Sequence, residues 1–459
     1  MGKIKSAKTT MINDMTKGNL FKQLMFFAWP ILVSNFLQTA YNMVDMVIVG
    51  QFVGSAGLSG VSNGGDLMLL FMFTCFGFTS AGQVIISQYV GRKDYDGIKK
   101  MIGTMFSFIG LLAVGFTVIG LAGGNLFISL VNTPAEAVDY AKDYYFTCIG
   151  GMIFTFGYNL VSSILRGMGD STKPMLFVAI AAVLNVILDL IFTAWWKMGT
   201  FGAALATVIG QAVSFIWSMI YLYKRRESFG FDFKLASFKP QVRQMGMVVK
   251  LGLPMALQMA ALSISGLFVN SFINTYGIIV SAVTSIGGRL ASVTNIITGA
   301  LGTSTSTIVA QNIAAGNTKR VSRCVNYCFV IGVAAALVFG GLLYFMPEKI
   351  FSIFNSDPEV LELSWVYRPV GVLVFLGFAL RAPYMGLISG IGFATLSLIN
   401  GILDGIVLRV GLSLLMGVVL DMGIFGFWYG SVFASYAPFV IGVIYFLSGK
   451  WKVRKVLVE

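Results

Sequence analysis

Long runs of apolar residues, separated by short polar loops, recur along the whole chain. Each run has about 20 residues or more, the length that an α-helix needs to cross the ~30 Å hydrocarbon core of a membrane. A segment in lipid must satisfy its own backbone hydrogen bonds, so helices are expected. The pattern predicts twelve transmembrane helices, over residues 23–49, 56–87, 101–122, 143–165, 174–196, 201–223, 247–273, 279–310, 321–345, 363–388, 393–416 and 422–447.

The second half of this pattern repeats the first. The offset that places Pro30 on Pro254 also places the segment MGTFG at 198–202 on MGIFG at 422–426, and it varies by a single position along the chain. Six spans in each half make both halves enter the membrane from the same side, so the repeats are parallel and related by an axis along the membrane normal. The predicted fold is an all-α polytopic membrane protein with two six-helix lobes related by pseudo-two-fold symmetry, and a solute site between them.

Composition and charge support a membrane protein. The chain is 57% hydrophobic and 11% charged, whereas soluble domains carry about 25% charged residues. Its net charge of +13 is sorted by side, because nearly all loop lysines and arginines fall on the side of the N-terminus. The other side holds only Lys142, Lys197, Lys349 and Arg368. The positive-inside rule then predicts a multi-pass protein of the cytoplasmic membrane with both termini in the cytoplasm, and the charge needs no nucleic-acid partner.

These boundaries divide the chain into five predicted regions. They are a cytoplasmic arm (1–22), an N-lobe (23–223), a basic cytoplasmic linker (224–246), a C-lobe (247–447) and a cytoplasmic tail (448–459).

Enzyme and metal chemistry are not expected. The chain has no histidine, which excludes HExxH zinc sites and Ser-His-Asp triads. Cys324 and Cys328 lie one helical turn apart, yet no histidine or nearby carboxylate completes a metal site. We therefore predict no enzymatic activity and no cofactor.

Four polar residues fall at nearly one depth in the predicted N-lobe. Asp45 lies ~8 Å below the outer end of span one, Asp189 lies ~9 Å below the same surface in span five, and Thr207 lies ~12 Å below it in span six. Asn185 precedes Asp189 by four residues and shares its helix face. An ionisable group at membrane depth costs at least ~2.5 kcal/mol, so these residues call for a functional explanation.

Asp45 and Asp189 favour an ion site. Two close carboxylates cannot both be ionised without a large cost in a low dielectric, so the pair suits a proton or a sodium ion, with asparagine and threonine oxygens as further ligands. The alternative is that the two acids only brace helix ends. The second half offers no equivalent acid, because Phe268 and Val269 stand at the position of Asp45.

Other charges lie inside the predicted spans. Asp66 and Arg289 are repeat equivalents, and they face each other across the central cleft or pair within their own lobes, with Asp404 as the expected partner of Arg289. Arg409 is another partner for Asp404, although a spacing of five residues is unfavourable on one helix face. All four are predicted cavity charges.

Pro30 and Pro254 lie inside the first span of each half, where a proline removes a backbone hydrogen bond and kinks the helix. Pro30 precedes Asp45 by fifteen residues on one helix. A bend there would couple the charge of the acid to helix shape, so we predict hinges at both prolines; the alternative is a static kink.

Two segments carry a family resemblance. NMVDMVIVG at 42–50 and LRGMGDSTKP at 165–174 resemble the end of span one and the loop after span four in multidrug and toxic compound extrusion (MATE) transporters. The resemblance covers essentially the whole chain and is nearest to the DinF-like branch. It implies a V-shaped pair of six-helix bundles, and export of drug-like organic compounds, often cations, in exchange for protons or sodium.

The resemblance also carries residue roles. The ion site of DinF-like members maps onto Asp45, Asn185, Asp189 and Thr207, and the bending proline of the family maps onto Pro30. NorM-like members use acids in spans seven and ten, where this chain offers only Gln258 and Arg381. The resemblance further implies a monomer whose partners are drug-like small molecules and membrane lipids.

The expected function is therefore a secondary multidrug antiporter working by alternating access, with H+ or Na+ as the coupling ion. The main alternative is a flippase for lipid-linked oligosaccharides or lipids, which is expected to line its cavity with several basic residues, while only Arg289 and Arg409 lie well away from the predicted span ends. A major-facilitator transporter lacks the loop motif at 165–174.

Overall fold

The fold is described from a computed structural model, which covers residues 12–131 and 133–459. Residues 1–11 of the predicted cytoplasmic arm lie outside the described residues. Helices of the first half are α1 (Leu20–Phe52), α2 (Ser55–Arg92), α3 (Tyr95–Leu130), α4 (Val138–Gly150), α5 (Met152–Gly167), α6 (Thr172–Asp189), α7 (Gly199–Lys224) and the short α8 (Arg226–Phe229). Those of the second half are α9 (Val242–Asn274), α10 (Ile278–Ala314), α11 (Thr318–Phe345), the short α12 (Pro347–Phe351), α13 (Pro358–Gly390), α14 (Ala394–Ile402), α15 (Arg409–Leu414), α16 (Ile424–Ala434) and α17 (Ala437–Leu447).

The predicted all-α membrane fold is confirmed. Among the described residues, ten helices are long and apolar enough to cross a membrane, and the bent pair Ala135–Gly150 and Met152–Gly167 makes an eleventh span. The pair bends by 50°. Helix α10 is 37 residues long and covers the predicted span 279–310, but it is rich in serine and threonine and therefore less apolar. Each of the twelve predicted spans thus coincides with a helix or a helix pair.

Both halves end their fifth span in a π-helix. In the first half α6 runs into the π-helix Leu190–Trp195, and in the second half α15 runs into the π-helix Leu415–Val419. The repeated turn that follows each of them leads into the next helix through a glycine of positive φ, Gly199 at +62° and Gly423 at +57°. Glycine adopts this left-handed backbone without the steric penalty of a Cβ, so the repeat keeps it in both loops.

The chain forms two compact units. Among the described residues, the N-unit contains 12–14 and Trp29–Leu253, and the C-unit contains Met15–Ala28 and Pro254–Glu459. Two of the boundaries between the units fall inside helices, and each lies beside a proline. The N-unit resumes at Trp29, just before Pro30, and the C-unit resumes at Pro254. Helices α1 and α9 therefore each contribute one part to each unit.

Within the N-unit, α2 packs against α3, α4 and α5, and α7 packs against α4, α5 and α6. The linker after α8 docks on α3, where the Gln241 backbone N–H donates to Thr104 Oγ1 at 3.1 Å. The hydroxyl of Ser107 donates to the carbonyl of Phe238. Asn13 Nδ2 donates to the carbonyl of Gly169 at 3.0 Å, in the loop after α5.

Within the C-unit, α13 packs against α10, α11 and α17 around a buried core that includes Phe351, Phe427 and Trp428. Residues 15–18, just before α1, belong to this unit and are held at the start of α11. Arg320 donates from Nε to the Met15 carbonyl at 3.1 Å and from Nη1 to the Gly18 carbonyl at 2.8 Å.

Candidate functional site

Two helices of the N-unit each contribute a buried carboxylate to the candidate site. Asp45 lies on α1 and is 6% exposed, and Asp189 is the last residue of α6 and is 0% exposed. Their charges interact electrostatically. Val49, one turn after Asp45, packs with Val61 of α2 and Ala203 of α7, which keeps the end of α1 against the N-unit core.

Asn185 and Thr207 join these helices beside the acids. Asn185 lies one turn before Asp189 on α6, and its Nδ2 donates to Thr207 Oγ1 on α7 at 3.2 Å. Asn185 is 2% exposed, whereas Thr207 is half-buried. We call Asp45, Asn185, Asp189 and Thr207 the N-unit cluster.

The N-unit cluster has buried oxygen atoms that lack a hydrogen-bond donor among the described residues. They are Asp45 Oδ1, Asn185 Oδ1, and both Oδ1 and Oδ2 of Asp189. Buried polar atoms in native proteins nearly always have a partner, so four such oxygens in one place need an explanation. A carboxylate accepts hydrogen bonds but donates none unless it is protonated, and hard cations take oxygen ligands. These four oxygens therefore fit a proton or a sodium ion as the bound species.

Three further polar residues lie beside the N-unit cluster, and the sequence pattern had not singled them out. Tyr41, one turn before Asp45, accepts a hydrogen bond at its hydroxyl from Gln211 Nε2 at 3.4 Å. Gln211 lies four residues after Thr207 on α7, and its Oε1 is buried without a donor in the described part of the chain. Tyr144 of α4 also interacts with the Asp45 charge and packs beside Val49. The spacing of four from predicted site residues was the signal for Tyr41 and Gln211.

The C-unit holds a buried ion network that differs from the predicted one. Asp404, whose side chain is 1% exposed, pairs with Arg409 at 2.9 Å and with Arg381 at 3.3 Å. The expected partner Arg289 is exposed on α10 and forms no ion pair with any described residue, so the predicted Arg289–Asp404 pair is wrong. Asp66 is likewise exposed, on α2.

The unfavourable spacing of Asp404 and Arg409 is resolved by local geometry. Residues Leu403–Leu408 form a π-helix, in which hydrogen bonds run between residues five apart. Residues five apart therefore share a face there, as they do not in an α-helix. Arg381 lies on α13. Its ion pair with Asp404 explains how the positive charge of Arg381 is accommodated within a membrane-spanning helix.

The two prolines lie inside helices that continue through them. Pro30 is within α1 and Pro254 is within α9. Ser34 Oγ donates to the Pro30 carbonyl at 2.8 Å, one turn along α1.

The chain is similar over its whole length to known transport proteins. It is 28% identical to the probable multidrug resistance protein YpnP of Bacillus subtilis, over 97% of this chain and 99% of that protein. It is 25% identical to the multidrug export protein MepA of Staphylococcus haemolyticus, over 85% of this chain and 86% of that protein.

Solved structures share the fold. An outward-facing multidrug resistance MATE family transporter of the MOP superfamily superposes with a TM-score of 0.88 at 22% identity, over 97% of this chain and 98% of that chain. A MATE structure in the straight conformation gives a TM-score of 0.85 at 23% identity, over 97% of this chain and 98% of that one.

The family model named MatE matches this chain twice, over residues 30–191 and 254–415. The two matches begin at Pro30 and at Pro254, the same two prolines that the internal repeat superposes. Together they cover more than half of the chain, and the chain therefore belongs to the MatE family of membrane transporters.

Proposed function

We propose that this protein is a secondary active multidrug efflux antiporter of the cytoplasmic membrane, with both termini in the cytoplasm. It exports organic, often cationic, compounds in exchange for protons or sodium ions by alternating access, and it works as a monomer. The names of the similar proteins YpnP and MepA support drug export.

The observation that carries the ion-coupling part is the set of four buried oxygens in the N-unit cluster that have no hydrogen-bond donor within the described part of the chain. In the proposed mechanism a proton or a sodium ion from outside binds between Asp45 and Asp189. Its positive charge offsets the cost of holding two carboxylates in a low-dielectric site. Asn185 and Thr207 orient the site through their hydrogen bond.

Ion binding is coupled to export through the shape of the transporter. Pro30 lies on the same helix as Asp45, and we propose that Pro30 and Pro254 serve as hinges. Occupancy of the cluster favours a state with weaker drug affinity, and the drug leaves outward. By linkage, drug binding must weaken ion binding by the same factor.

The test is ethidium efflux from proteoliposomes under separately imposed proton and sodium gradients. We expect one gradient to drive efflux by the unaltered protein. Asp45→Asn and Asp189→Asn each remove one charge at nearly constant shape, so both should abolish the response to that gradient.

Asp421→Asn is the matched control, because Asp421 is exposed and its φ of +52° suits asparagine equally well. It should transport like the unaltered protein. Efflux by Asp45→Asn with an unchanged gradient dependence would contradict ion coupling at the cluster. Failure to move ethidium under either gradient, together with flipping of a fluorescent lipid, would favour the flippase alternative.

A further inference from the structure

A cavity of about 220 Å³ lies within the C-unit, between the second part of α9, helices α10, α13 and α16, and the start of α15. Its polar and aromatic lining includes Asn270, Thr284, Tyr367, Arg409, Trp428 and Ser431. We call it the C-unit cavity. Ligand pockets typically measure ~300–1,000 Å³, so this cavity suits a small ligand or one end of a larger one.

The C-unit cavity is the repeat counterpart of the N-unit cluster. The offset that relates the two family matches, residue 30 onto residue 254, also places Asn185 on Arg409 and Thr207 on Ser431. The hydrogen bond between these positions is repeated as well. Asn185 Nδ2 donates to Thr207 Oγ1 at 3.2 Å, and Arg409 Nη1 donates to Ser431 Oγ at 3.3 Å.

The two sites nevertheless have opposite charge. The same offset places Asp45 on Val269 and Asp189 on Ser413. The two carboxylates of the N-unit cluster therefore have no counterparts in the C-unit cavity. The second site instead gains the Arg409 guanidinium.

The cation of the C-unit cavity is only partly neutralised. Asp404 is shared between two arginines, Arg381 and Arg409, which leaves a net charge of one positive unit. Arg409 is the network member that lines the cavity, and its Nε is buried without a hydrogen-bond acceptor among the described residues. A buried donor of this kind is costly to leave unpaired.

We infer that the C-unit cavity binds the anionic group, a carboxylate or sulfonate, of a small aromatic compound. Arg409 supplies a charge-assisted donor, and Asn270, whose side chain is exposed and lines the cavity, supplies an amide. Phe378, Phe427 and Trp428 provide aromatic walls for the ring. The inference goes beyond ion-coupled export, because it concerns binding at equilibrium without any gradient.

The test compares two ligands of the same shape that differ in charge. Binding of 2-naphthoate and of its neutral analogue 2-naphthamide is measured by titration calorimetry on the full chain in nanodiscs, with empty nanodiscs as the blank. We expect the unaltered protein to bind naphthoate about tenfold more tightly than naphthamide, as a charge-assisted hydrogen bond requires.

Variants then locate the site. Arg409→Gln keeps a polar side chain and leaves Asp404 paired with Arg381, and it should remove the preference for naphthoate while naphthamide binding is unchanged. The matched control is Arg323→Gln, the same change at an exposed residue of α11, which should retain the preference.

Asn270→Asp keeps the test decisive if Arg409→Gln does not fold. This near-isosteric change places a negative charge in the cavity without touching the Asp404 network, and it should remove the preference for the anion or reverse it. Equal binding of both ligands by the unaltered protein would overturn the inference. So would a preference for naphthoate that survives in Asn270→Asp.

Discussion

Asp404 and Arg409 are five residues apart on one span and form an ion pair of 2.9 Å. The π-helix Leu403–Leu408 begins just before Asp404 and ends just before Arg409, so both side chains share one face. Arg381 reaches the same carboxylate from α13 at 3.3 Å. One acid therefore holds two arginines within the apolar part of the C-unit.

Removal of this acid should destabilise the protein. Asp404→Asn leaves two partly buried guanidinium groups without a counter-charge, and loss of one member of a buried pair costs about 3–5 kcal/mol. We expect an earlier thermal unfolding transition in nanodiscs. The double variant Asp404→Asn/Arg409→Gln restores the net charge of the network and should recover part of the loss. An Asp404→Asn protein that unfolds at the same temperature as the unaltered protein would show that the pair contributes nothing.

The hydroxyl of Thr207 should set the affinity for the coupling ion. Thr207→Val removes the acceptor of the Asn185 hydrogen bond and one oxygen of the N-unit cluster. We expect the ion concentration that gives half-maximal ethidium efflux to rise by about tenfold. Thr207→Ser keeps the hydroxyl and serves as the control, with little change expected. Identical ion dependence in the Val and Ser variants would exclude Thr207 from the site.

The linker should detach from α3 if Gly103 acquires a side chain. A Cβ at Gly103 would lie 1.9 Å from the Ser237 carbonyl oxygen, whereas a Cβ at Gly110 on the same helix would meet nothing within 4 Å. Trypsin should therefore cleave Gly103→Ala faster after Lys234, as a time course on gels would show. Gly110→Ala is the matched control and should be cleaved at the original rate. Equal cleavage of the two variants would mean that the linker is not held at this position.

Pro30 should lower the thermal stability of the protein while it allows α1 to bend during transport. Pro30→Ala allows one more backbone hydrogen bond in α1 and removes a ring clash, together about 3 kcal/mol. We expect a protein that unfolds at higher temperature and yet exports ethidium several-fold more slowly, because a straight α1 is favoured. Pro358→Ala, at the exposed first turn of α13 where proline costs no hydrogen bond, is the control. Unchanged efflux by Pro30→Ala would leave Pro30 a static kink.

Much of the candidate site follows from depth along the predicted spans. Helical rise alone brings Asp45, Asp189 and Thr207 to nearly one level, and the structure joins Asn185 to Thr207. The contact of Tyr41 with Gln211 was not predicted, because it depends on how α1 and α7 are rotated against each other. The repeat offset also places Arg409 on Asn185 in the sequence, but only the repeated hydrogen bond gives that match a structural meaning.

The sequence by itself determined the class of fold and its repeat. Lipid leaves a spanning segment no choice but to satisfy its backbone internally, so twelve apolar runs are enough to predict twelve helical spans. The tertiary structure alone decided which charges pair, and it assigned residues 15–28 to the C-unit. Such pairings depend on local helix geometry and on packing between segments far apart in the chain. The π-helix at Leu403–Leu408 is the clearest case. It brings Asp404 and Arg409 to one face, whereas regular α-helical spacing would place these two residues on different faces.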